Sequence, residues 1–410
     1  MTMKDTRKYK QTELGLLPED WEVARLGDNV SDSCYGIGAE AISYNGVDKY
    51  LRITDITDEG HFAPNPLCSP AFFNESYIAT ENDLFVARTG ASVGKTYLYD
   101  SKDGRLIFAG FLMKLNITDA NSKFVFYYTQ TSQYKNWVIS ESMRSGQPGL
   151  NLKQIKNLSI PLPPIEEQRR IASALTSIDN LIDSLDRLIA KKRDIKQGAM
   201  QQLLSGKKRL KGFTEPWVEK KLGDVVTNST GLTYSPNNVK KYGTLVLRSS
   251  NIKNGKLIFE DNVFVEMSIP ERAKVHTNDL LVCVRNGSKA LIGKSAVITE
   301  DAEGMAFGAF MTILRANGIE QIFLNYYWQT DFVQKQVRDN MGATINQITN
   351  ADISDFDIYV PYSLTEQQSI ASVLTSMDNA LSALEAKRKK YEQIKQGMMQ
   401  QLLTGRISLN

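Results

Sequence analysis

The sequence predicts an α/β (α+β) fold with two tandem pseudo-symmetric domains, each followed by a long helix, and the two helices pair as an antiparallel coiled coil. The first observation is a repeat: residues 167–206 align with 366–405 without a gap at an offset of 199, and 22 of the 40 positions are identical. Heptad spacing within the repeat and short β-rich runs outside it are the other two. Because a solenoid unit spans only about 20–50 residues, this repeat indicates a duplicated protein.

The globular halves repeat more faintly. Trp21 with Leu26-Gly27-Asp28 corresponds to Trp217 with Leu222-Gly223-Asp224. Runs such as Leu84-Phe85-Val86 predict strands, and amphipathic segments predict one helix at about 122–140 and its counterpart at 320–338. Between these anchors the halves diverge, most strongly at 29–80 against 225–276. A repeated scaffold with different surfaces is expected of two domains that recognise two different targets.

Each repeated segment predicts one long helix whose apolar residues recur at spacings of three and four, as in a coiled-coil seam. Neither seam can be buried by its own half alone, so we expect the helices to pair antiparallel as a rod about 60 Å long. The candidate seam or docking residues, with one glycine farther along each helix, are Ile171, Leu175, Ile178, Ile182, Leu185, Ile189 and Gly198, and Ile370, Leu374, Met377, Leu381, Leu384 and Gly397.

Capping signals and glycines mark the limits of these helices. Ser363 and Glu366 predict a capping box at the start of the second helix, and Gly206 and Gly405 predict C-caps. Gly198 and Gly397 lie inside the helices, where glycine costs about 1 kcal/mol relative to alanine. Close approach of another helix would offset that cost, and a tolerated accident is the alternative.

Composition predicts a cytoplasmic globular protein, since the chain is 42% hydrophobic and 23% charged and has no apolar run of membrane-spanning length. Its three cysteines are scattered and predict reduced thiols, and its two histidines disfavour a histidine-rich metal site. Residues 187–211 hold nine lysines and arginines against one aspartate. Such a basic stretch is either a solvated helix face or the footprint of a polyanion or acidic partner.

The loop Thr89–Thr96 resembles a phosphate-binding loop but has the wrong spacing. Three residues separate Gly90 from Gly94, where the nucleotide motif needs four, and five separate Gly287 from Gly293. The loop is also expected to join two strands. We therefore predict a polar hairpin tip in each half, whose cations contact phosphates or guanine edges, with a solvated turn as the alternative. No motif for a dinucleotide site, an adenine methyltransferase or a nuclease is evident.

These motifs together resemble one family. Two copies of Glu-Gln-x-x-Ile-Ala-Ser-x-Leu, each followed by Lys-Gln-Gly-x-Met-Gln-Gln-Leu-Leu-x-Gly, and a Trp…Leu-Gly-Asp start to each half resemble Type I restriction-modification specificity subunits. The resemblance covers nearly the whole chain. It implies the following division: an N-terminal tail at 1–11, target-recognition domains at 12–165 and 212–362, conserved helices at 166–206 and 363–405, a basic linker at 207–211 and a C-terminal tail at 406–410.

The resemblance also implies the partners. Each domain would read one part of a bipartite, asymmetric site in double-stranded DNA, and the helices would set the spacer and dock two methyltransferase subunits. Those subunits would bind S-adenosylmethionine, and restriction subunits would use ATP and Mg, so this chain would be non-catalytic and need no cofactor. The candidate DNA-binding residues are Arg52, Arg88, Thr89, Ser92, Lys95, Arg248, Ser249, Asn251, Arg285, Asn286, Ser288, Lys289 and Lys294.

Two alternatives stay open from the sequence. The chain could serve a methylation-only or a fused restriction-methylation system, in which the recognition subunit would look the same. It could instead be a coiled-coil scaffold with two inert caps, which predicts no sequence-specific reading of DNA.

Overall fold

The computed structural model describes residues 7–143, 148–342 and 346–409, and these form two compact units. One unit comprises residues 1–186 and 386–410, and the other comprises 187–385. Each unit therefore contains one globular half, the first part of the helix that follows it and the last part of the other long helix. Most of the predicted tail at 1–11 lies outside the described residues, but its end belongs to a strand that begins at Tyr9.

Twelve strands form the sheets of the first unit within its described residues. Its central sheet is antiparallel with the order β4-β11-β8-β9, and smaller sheets pair β1 with β2, β3 with β12, β5 with β7, and β6 in parallel with β10. The bounds are β1 Tyr9–Thr12, β2 Gly15–Pro18, β3 Glu22–Arg25, β4 Val30–Tyr35, β5 Ala41–Ser43, β6 Lys49–Leu51, β7 Cys68–Pro70, β8 Asp83–Ala87, β9 Thr96–Leu98, β10 Leu106–Phe108, β11 Leu112–Ile117 and β12 Ser159–Leu162.

The second unit repeats this plan. Its central sheet has the order β14-β23-β20-β21, β13 pairs with β24, β17 pairs with β18, and a further sheet has the order β15-β19-β16-β22. The bounds are β13 Trp217–Lys221, β14 Val226–Thr230, β15 Val239–Lys240, β16 Thr244–Leu247, β17 Ile252–Lys253, β18 Lys256–Leu257, β19 Phe264–Val265, β20 Leu280–Cys283, β21 Ser295–Val297, β22 Ala306–Phe307, β23 Met311–Ala316 and β24 Asp357–Pro361.

The α-helices of the described residues confirm the long pair and revise the short ones. Each helix predicted near 122–140 and 320–338 is in fact two helices, because the hydroxyls of Thr131 and Thr330 cap a new helix start by accepting from Tyr134 N and Val333 N. The bounds are α1 Ser122–Tyr128, α2 Ser132–Ser142, α3 Leu152–Lys156, α4 Ile165–Leu203, α5 Gln321–Tyr327, α6 Asp331–Asp339, α7 Asn350–Ser354 and α8 Leu364–Leu402.

The core of each half lies between its central sheet and its first short helix. In the first half, Leu84, Val86 and Leu115 from the sheet pack with Val125 and Tyr128 of α1, and all five are buried. Burying side chains of this size stabilises the fold by about 1.5–3 kcal/mol each.

A glycine is required at the same place in both halves. A Cβ on Gly36 would lie 2.2 Å from the carbonyl oxygen of Ala109, and one on Gly231 would lie 2.2 Å from that of Gly308. These glycines follow β4 and β14 and let the chain approach the turn before β11 and β23. The two turns are thereby fixed at equivalent positions.

The long helices pair antiparallel within each unit, which confirms that prediction. In the first unit Lys395 Nζ lies 2.6 Å from Asp179 Oδ1, and Arg388 pairs with Asp186. In the second unit Lys196 Nζ lies 2.6 Å from Asp378 Oδ1. The residue number falls along α8 as it rises along α4, so the helices run in opposite directions.

The first apolar residues of each seam contact two partners, the globular half and the end of the other long helix. We call this contact the junction. Ile171 and Leu175 are fully buried against Trp21 of the globular half, against Leu402 at the end of α8 and against Leu403, which follows it. The equivalent Ile370 and Leu374 share a core with Trp217, Leu203 and Leu204. Farther along, Leu185, Ile189 and Leu381 are buried, while Ile178, Ile182, Met377 and Leu384 are half-buried.

Two predicted local features need correction. The carboxylate of Glu366, predicted to close a capping box with Ser363, accepts instead from Arg209 and from the indole of Trp217. Among the described residues, no atom beyond the neighbouring helix backbone lies within 4 Å of a Cβ built on Gly198 or Gly397, so no other helix of this chain approaches closely at these glycines. Gly206 and Gly405 do adopt the left-handed conformation expected of C-caps, with φ of 70° and 68°.

Candidate nucleic-acid interface

The two predicted hairpin tips are present as loops between antiparallel strands. The loop 88–95 joins β8 to β9, and the loop 284–294 joins β20 to β21. Ala87 N donates to Lys95 O at 2.8 Å, and Cys283 N donates to Lys294 O at 2.9 Å, so both loops close in the same way. A strand-to-strand loop does not present the helix N-terminus of a nucleotide-binding site. Each loop is therefore available as a polar tip.

Arg88 is the ordered cation of the first tip. Its guanidinium lies 4.5 Å from the centre of the Tyr35 ring, and among the described residues its Nε has no hydrogen-bond partner. Lys95 lies 2.7 Å from Asp58 Oδ1, and this hydrogen bond lowers the pKa of the Asp58 carboxyl. Thr89 and Ser92 on the same loop are half-buried. Within the part of the chain that the structure describes, Lys95 is paired with a carboxylate and Arg88 is not.

The second tip gathers several predicted residues. Asn286 Nδ2 donates to Ser249 Oγ at 2.9 Å, and Lys294 Nζ lies 3.4 Å from Ser249 O. Ser288 and Lys289 are exposed on the loop. The exposed Arg285 stacks on Phe310, with its guanidinium 5.0 Å from the ring centre. Fold topology thus brings the 249 and 285–294 segments together, as a single polar surface would require.

Three predicted contacts have structural roles that compete with DNA binding. The Arg52 guanidinium donates to both carboxylate oxygens of Asp55, which is 1% exposed. Arg248 Nη2 pairs with Asp261 at 2.9 Å. Asn251 is fully buried and accepts from Arg248 N at 3.0 Å. Its side chain therefore stabilises the turn at 248–251 and is not part of the surface. The prediction for Asn251 is therefore wrong, because a turn amide cannot be recognised as buried from its residue type.

Sequence reasoning missed two exposed aromatic side chains beside the tips. Phe111 is 60% exposed and Phe310 is 56% exposed, although Phe108 and Phe307, three residues earlier, are fully buried. The repeated motif Phe-Ala-Gly-Phe in one half and Phe-Gly-Ala-Phe in the other was the available signal. It did not reveal which phenylalanine of each pair faces solvent.

Neither a metal centre nor a membrane span emerges from the described part of the chain. Across residues 7–143, 148–342 and 346–409, no three histidine, cysteine, aspartate or glutamate side chains are grouped to hold a metal ion. No helix within those residues combines the length and apolar character needed to cross a bilayer.

Comparisons with known proteins agree with this geometry. The sequence model of the Type I restriction modification DNA specificity domain matches residues 18–191 and again 214–396. The chain is 25% identical to the Type I restriction enzyme MjaVIII specificity subunit of Methanocaldococcus jannaschii, over 95% of this chain and 94% of that protein. It is 31% identical to the EcoKI specificity subunit of Escherichia coli, over 44% of this chain and 40% of that protein.

A solved structure shares the fold. The crystal structure of a Type I restriction-modification system S subunit from M. genitalium superposes with a TM-score of 0.62 at 16% identity, covering 98% of each chain. The family match spans most of both halves and most of both long helices. The chain belongs to the family of Type I restriction modification DNA specificity domains and carries two of them in tandem.

Proposed function

We propose that this chain is the DNA-reading component of a Type I restriction-modification complex, and that each globular half reads one part of a bipartite, asymmetric site. The observation that carries the proposal is the duplication itself. Both halves build a hairpin tip at the same place on equivalent sheets, yet the tips carry different side chains: Thr89 and Ser92 in one, and Asn286, Ser288 and Lys289 in the other. Different donors on one scaffold suit two different half-sites.

The long helices would hold the half-sites apart. Each contains 39 residues, which corresponds to about 58 Å at 1.5 Å per residue. Successive half-sites on one side of a duplex lie about 34 Å apart. A rod of this length is sufficient to set such a separation, and its length would fix the spacer.

The helices would also dock two methyltransferase subunits. Ile195 is 47% exposed and Ile394 is 38% exposed, and each lies three residues before a glycine with open space at its Cβ position. On a helix these positions share a face, so each copy offers an apolar side chain beside a gap that a partner helix could fill. S-adenosylmethionine would be bound by those subunits, and ATP and Mg by restriction subunits, leaving this chain to supply recognition in the cytoplasm.

A methylome tests the proposal. The chain would be co-expressed with its methyltransferase subunit in a host that lacks other modification, and modified adenines would be mapped by long-read sequencing. We expect one asymmetric motif in two parts with a fixed gap. A soluble complex that forms but modifies no such motif would favour the coiled-coil scaffold instead.

The ruler role has a separate test that the two units make possible. One heptad would be inserted after Asp186 and another after Glu385, where the chain passes from one unit to the other, so that ion pairs within each unit are kept. Each insertion adds about 10 Å of helix, equivalent to about three base pairs. We expect a longer spacer or loss of modification, with both half-site sequences unchanged. A change in the bases read would contradict the ruler.

A further inference from the structure

Phe111 and Phe310 occupy the same place in the two halves and are exposed in both. They are separated by the repeat offset of 199 residues, and each is more than half exposed. Large exposed aromatic side chains on a soluble protein are informative when they recur on a defined surface. The halves diverge most strongly at 29–80 against 225–276 but keep the same exposed ring beside both tips, and this recurrence points to a shared task.

The rings are exposed because the backbone holds them there. Leu112 N donates to Ala109 O at 2.8 Å and Met311 N donates to Gly308 O at 2.9 Å, which closes a tight turn at each site. Phe111 O accepts from Arg88 N at 3.0 Å, and Phe310 O accepts from Arg285 N at 3.2 Å. The backbone of each phenylalanine is therefore hydrogen-bonded directly to that of the arginine of the hairpin tip, so the two residues lie side by side in both halves.

The arginines are ordered by aromatic rings in both halves, though by different ones. Arg88 stacks on Tyr35, whereas Arg285 stacks on Phe310 itself. Stacking covers one face of a guanidinium and leaves its N–H edge able to donate to phosphate oxygens. The second tip adds the exposed Lys289 and the half-buried Lys294 on the same loop. The exposed ring is surrounded by cations and by hydroxyl or amide groups. Such a surface is complementary to the phosphates, sugars and base edges along a DNA groove.

We infer that Phe111 with Arg88, and Phe310 with Arg285, make one common DNA contact in the two halves, with the guanidinium on a backbone phosphate and the ring against sugar and base edges. This inference rests on the proposed function. Identical side chains cannot distinguish two different half-sites, so the contact is independent of sequence. It positions each domain on the duplex, and the unlike residues of the tips supply specificity.

The test uses the chain assembled with its methyltransferase subunits. Binding of a duplex with the mapped site, and of one with a scrambled half-site, would be measured over a series of salt concentrations. Phe310→Ala and Arg285→Gln probe the second half, with Phe332→Ala as the control because Phe332 is 50% exposed on α6. Phe111→Ala probes the first half, with Ile139→Ala as its control because Ile139 is 61% exposed on α2.

We expect each phenylalanine variant to bind both duplexes about tenfold more weakly, with the ratio between them and the salt slope unchanged. Arg285→Gln should reduce the slope of log affinity against log salt by about 0.9, the loss of one phosphate contact. The two control variants should bind as the unaltered assembly does.

Three results would overturn the inference while leaving the proposed function intact: unchanged affinity of the phenylalanine variants, a loss confined to the specific duplex, or failure to assemble with the methyltransferase subunits. The second would make the ring a base reader, and the third would make it a protein contact. If the unaltered assembly itself does not prefer the mapped site, the proposed function fails and the inference with it.

Discussion

In both units a buried glutamate near the start of the long helix joins this helix to the globular half. The arginine that pairs with the glutamate comes from a different part of the chain in each unit. Glu366 accepts from Arg209, in the linker after α4, and from the indole of Trp217. Glu167 accepts from Arg7, near the N-terminus, and from the indole of Trp21. At the repeat equivalent of Arg209 stands Ser408, whose hydroxyl lies 3.3 Å from Glu167.

The fold requires a cation beside each buried carboxylate but tolerates a change in the segment that carries it. Glu167 and Glu366 are 3% and 1% exposed, and a buried carboxylate needs a cation and hydrogen-bond donors. That requirement is met in both units. The segment that carries the arginine is free to change, because a guanidinium placed in the same position has the same effect whichever part of the chain bears it.

The space beside the junction differs more strongly. In the second unit a groove of about 1190 Å³ lies between the globular half and the helices, lined by residues that include Arg193, Lys253 and Asn325. In the first unit the position equivalent to Asn325 is Phe126, whose ring lies 2.6 Å from a Cβ built on Gly60. An aromatic side chain thus packs against Gly60 at the position where the second half has the amide of Asn325, so the halves are unlike away from their tips as well.

The largest expected effect is at the junction carboxylates. Glu366→Ala should destabilise the second unit by about 3 kcal/mol, because it leaves Arg209 and the Trp217 indole without their acceptor. Glu167→Ala should have a similar effect on the first unit. Hydrogen exchange of peptides from each unit of the full chain would measure the two effects separately.

The matched control is Glu385→Ala in the same helix. Glu385 pairs with Arg193, but these side chains are 38% and 61% exposed, so solvent screens the pair. Its removal should cost about 0.5 kcal/mol. Equal effects of Glu366→Ala and Glu385→Ala would contradict the view that burial at the junction is decisive.

The helix glycines should give a smaller effect of opposite sign. Gly198→Ala and Gly397→Ala should each stabilise by about 0.5–1 kcal/mol, since both glycines are helical and a Cβ meets no atom within 4 Å. Gly206→Ala is the contrasting control, because its φ is +70° and the Trp217 ring lies 3.3 Å from the added Cβ. Thermal unfolding would measure all three.

Assembly of the same variants with the methyltransferase subunit would also be measured. If Gly198→Ala and Gly397→Ala stabilise the chain but weaken assembly with the methyltransferase subunit, the open space at each glycine is occupied in the complex. Destabilisation by both alanines would show that the helical glycines are held by contacts in the free chain.

The long helices and the hairpin tips could be predicted because their signals are local. Heptad spacing predicted the helices, and capping signals and glycines placed their ends within three residues of the observed ones. Strand-like runs on both sides of a glycine-rich loop predicted a hairpin at each tip. Arg7 could not be predicted as a junction residue, because it has no counterpart in the repeat and meets Glu167 from 160 residues away. Residue-specific DNA contacts stay predictions.

Burial of short polar side chains also could not be predicted from the sequence. Ser249 and Asn251 lie two residues apart and are equally polar, but only Ser249 faces the tip while Asn251 is fully buried. The difference depends on a turn closed by Arg248 N and by Ile258 O, the acceptor of the Asn251 amide. Strands of two residues carry no periodicity from which the inward face could be read.

The smallest expected effect concerns acid stability and an exposed carboxylate of the second half, Glu303, that has no counterpart in the first. The Glu303 carboxyl accepts from His276 Nδ1 at 2.8 Å and from Thr277 Oγ1 at 2.7 Å, and Thr277 N also donates to it; these bonds lower its pKa from 4.5 to about 2. The first half has Gly104 at the equivalent position. Glu271, Lys274 and Arg315 are the neighbouring charged groups.

A carboxyl whose pKa is depressed in the folded state contributes stability above its unfolded pKa and loses that contribution as pH falls through the folded pKa. The second unit should therefore lose protection at the turn 276–279 between about pH 4.5 and pH 2. Glu303→Gln should remove this dependence, because the amide does not titrate, while leaving the first unit unchanged. Carbon-detected NMR titration of the Glu303 carboxyl would give its pKa directly. A value near 4.5 would mean that the three hydrogen bonds do not hold in solution and that Glu303 contributes nothing to the acid response of the second unit.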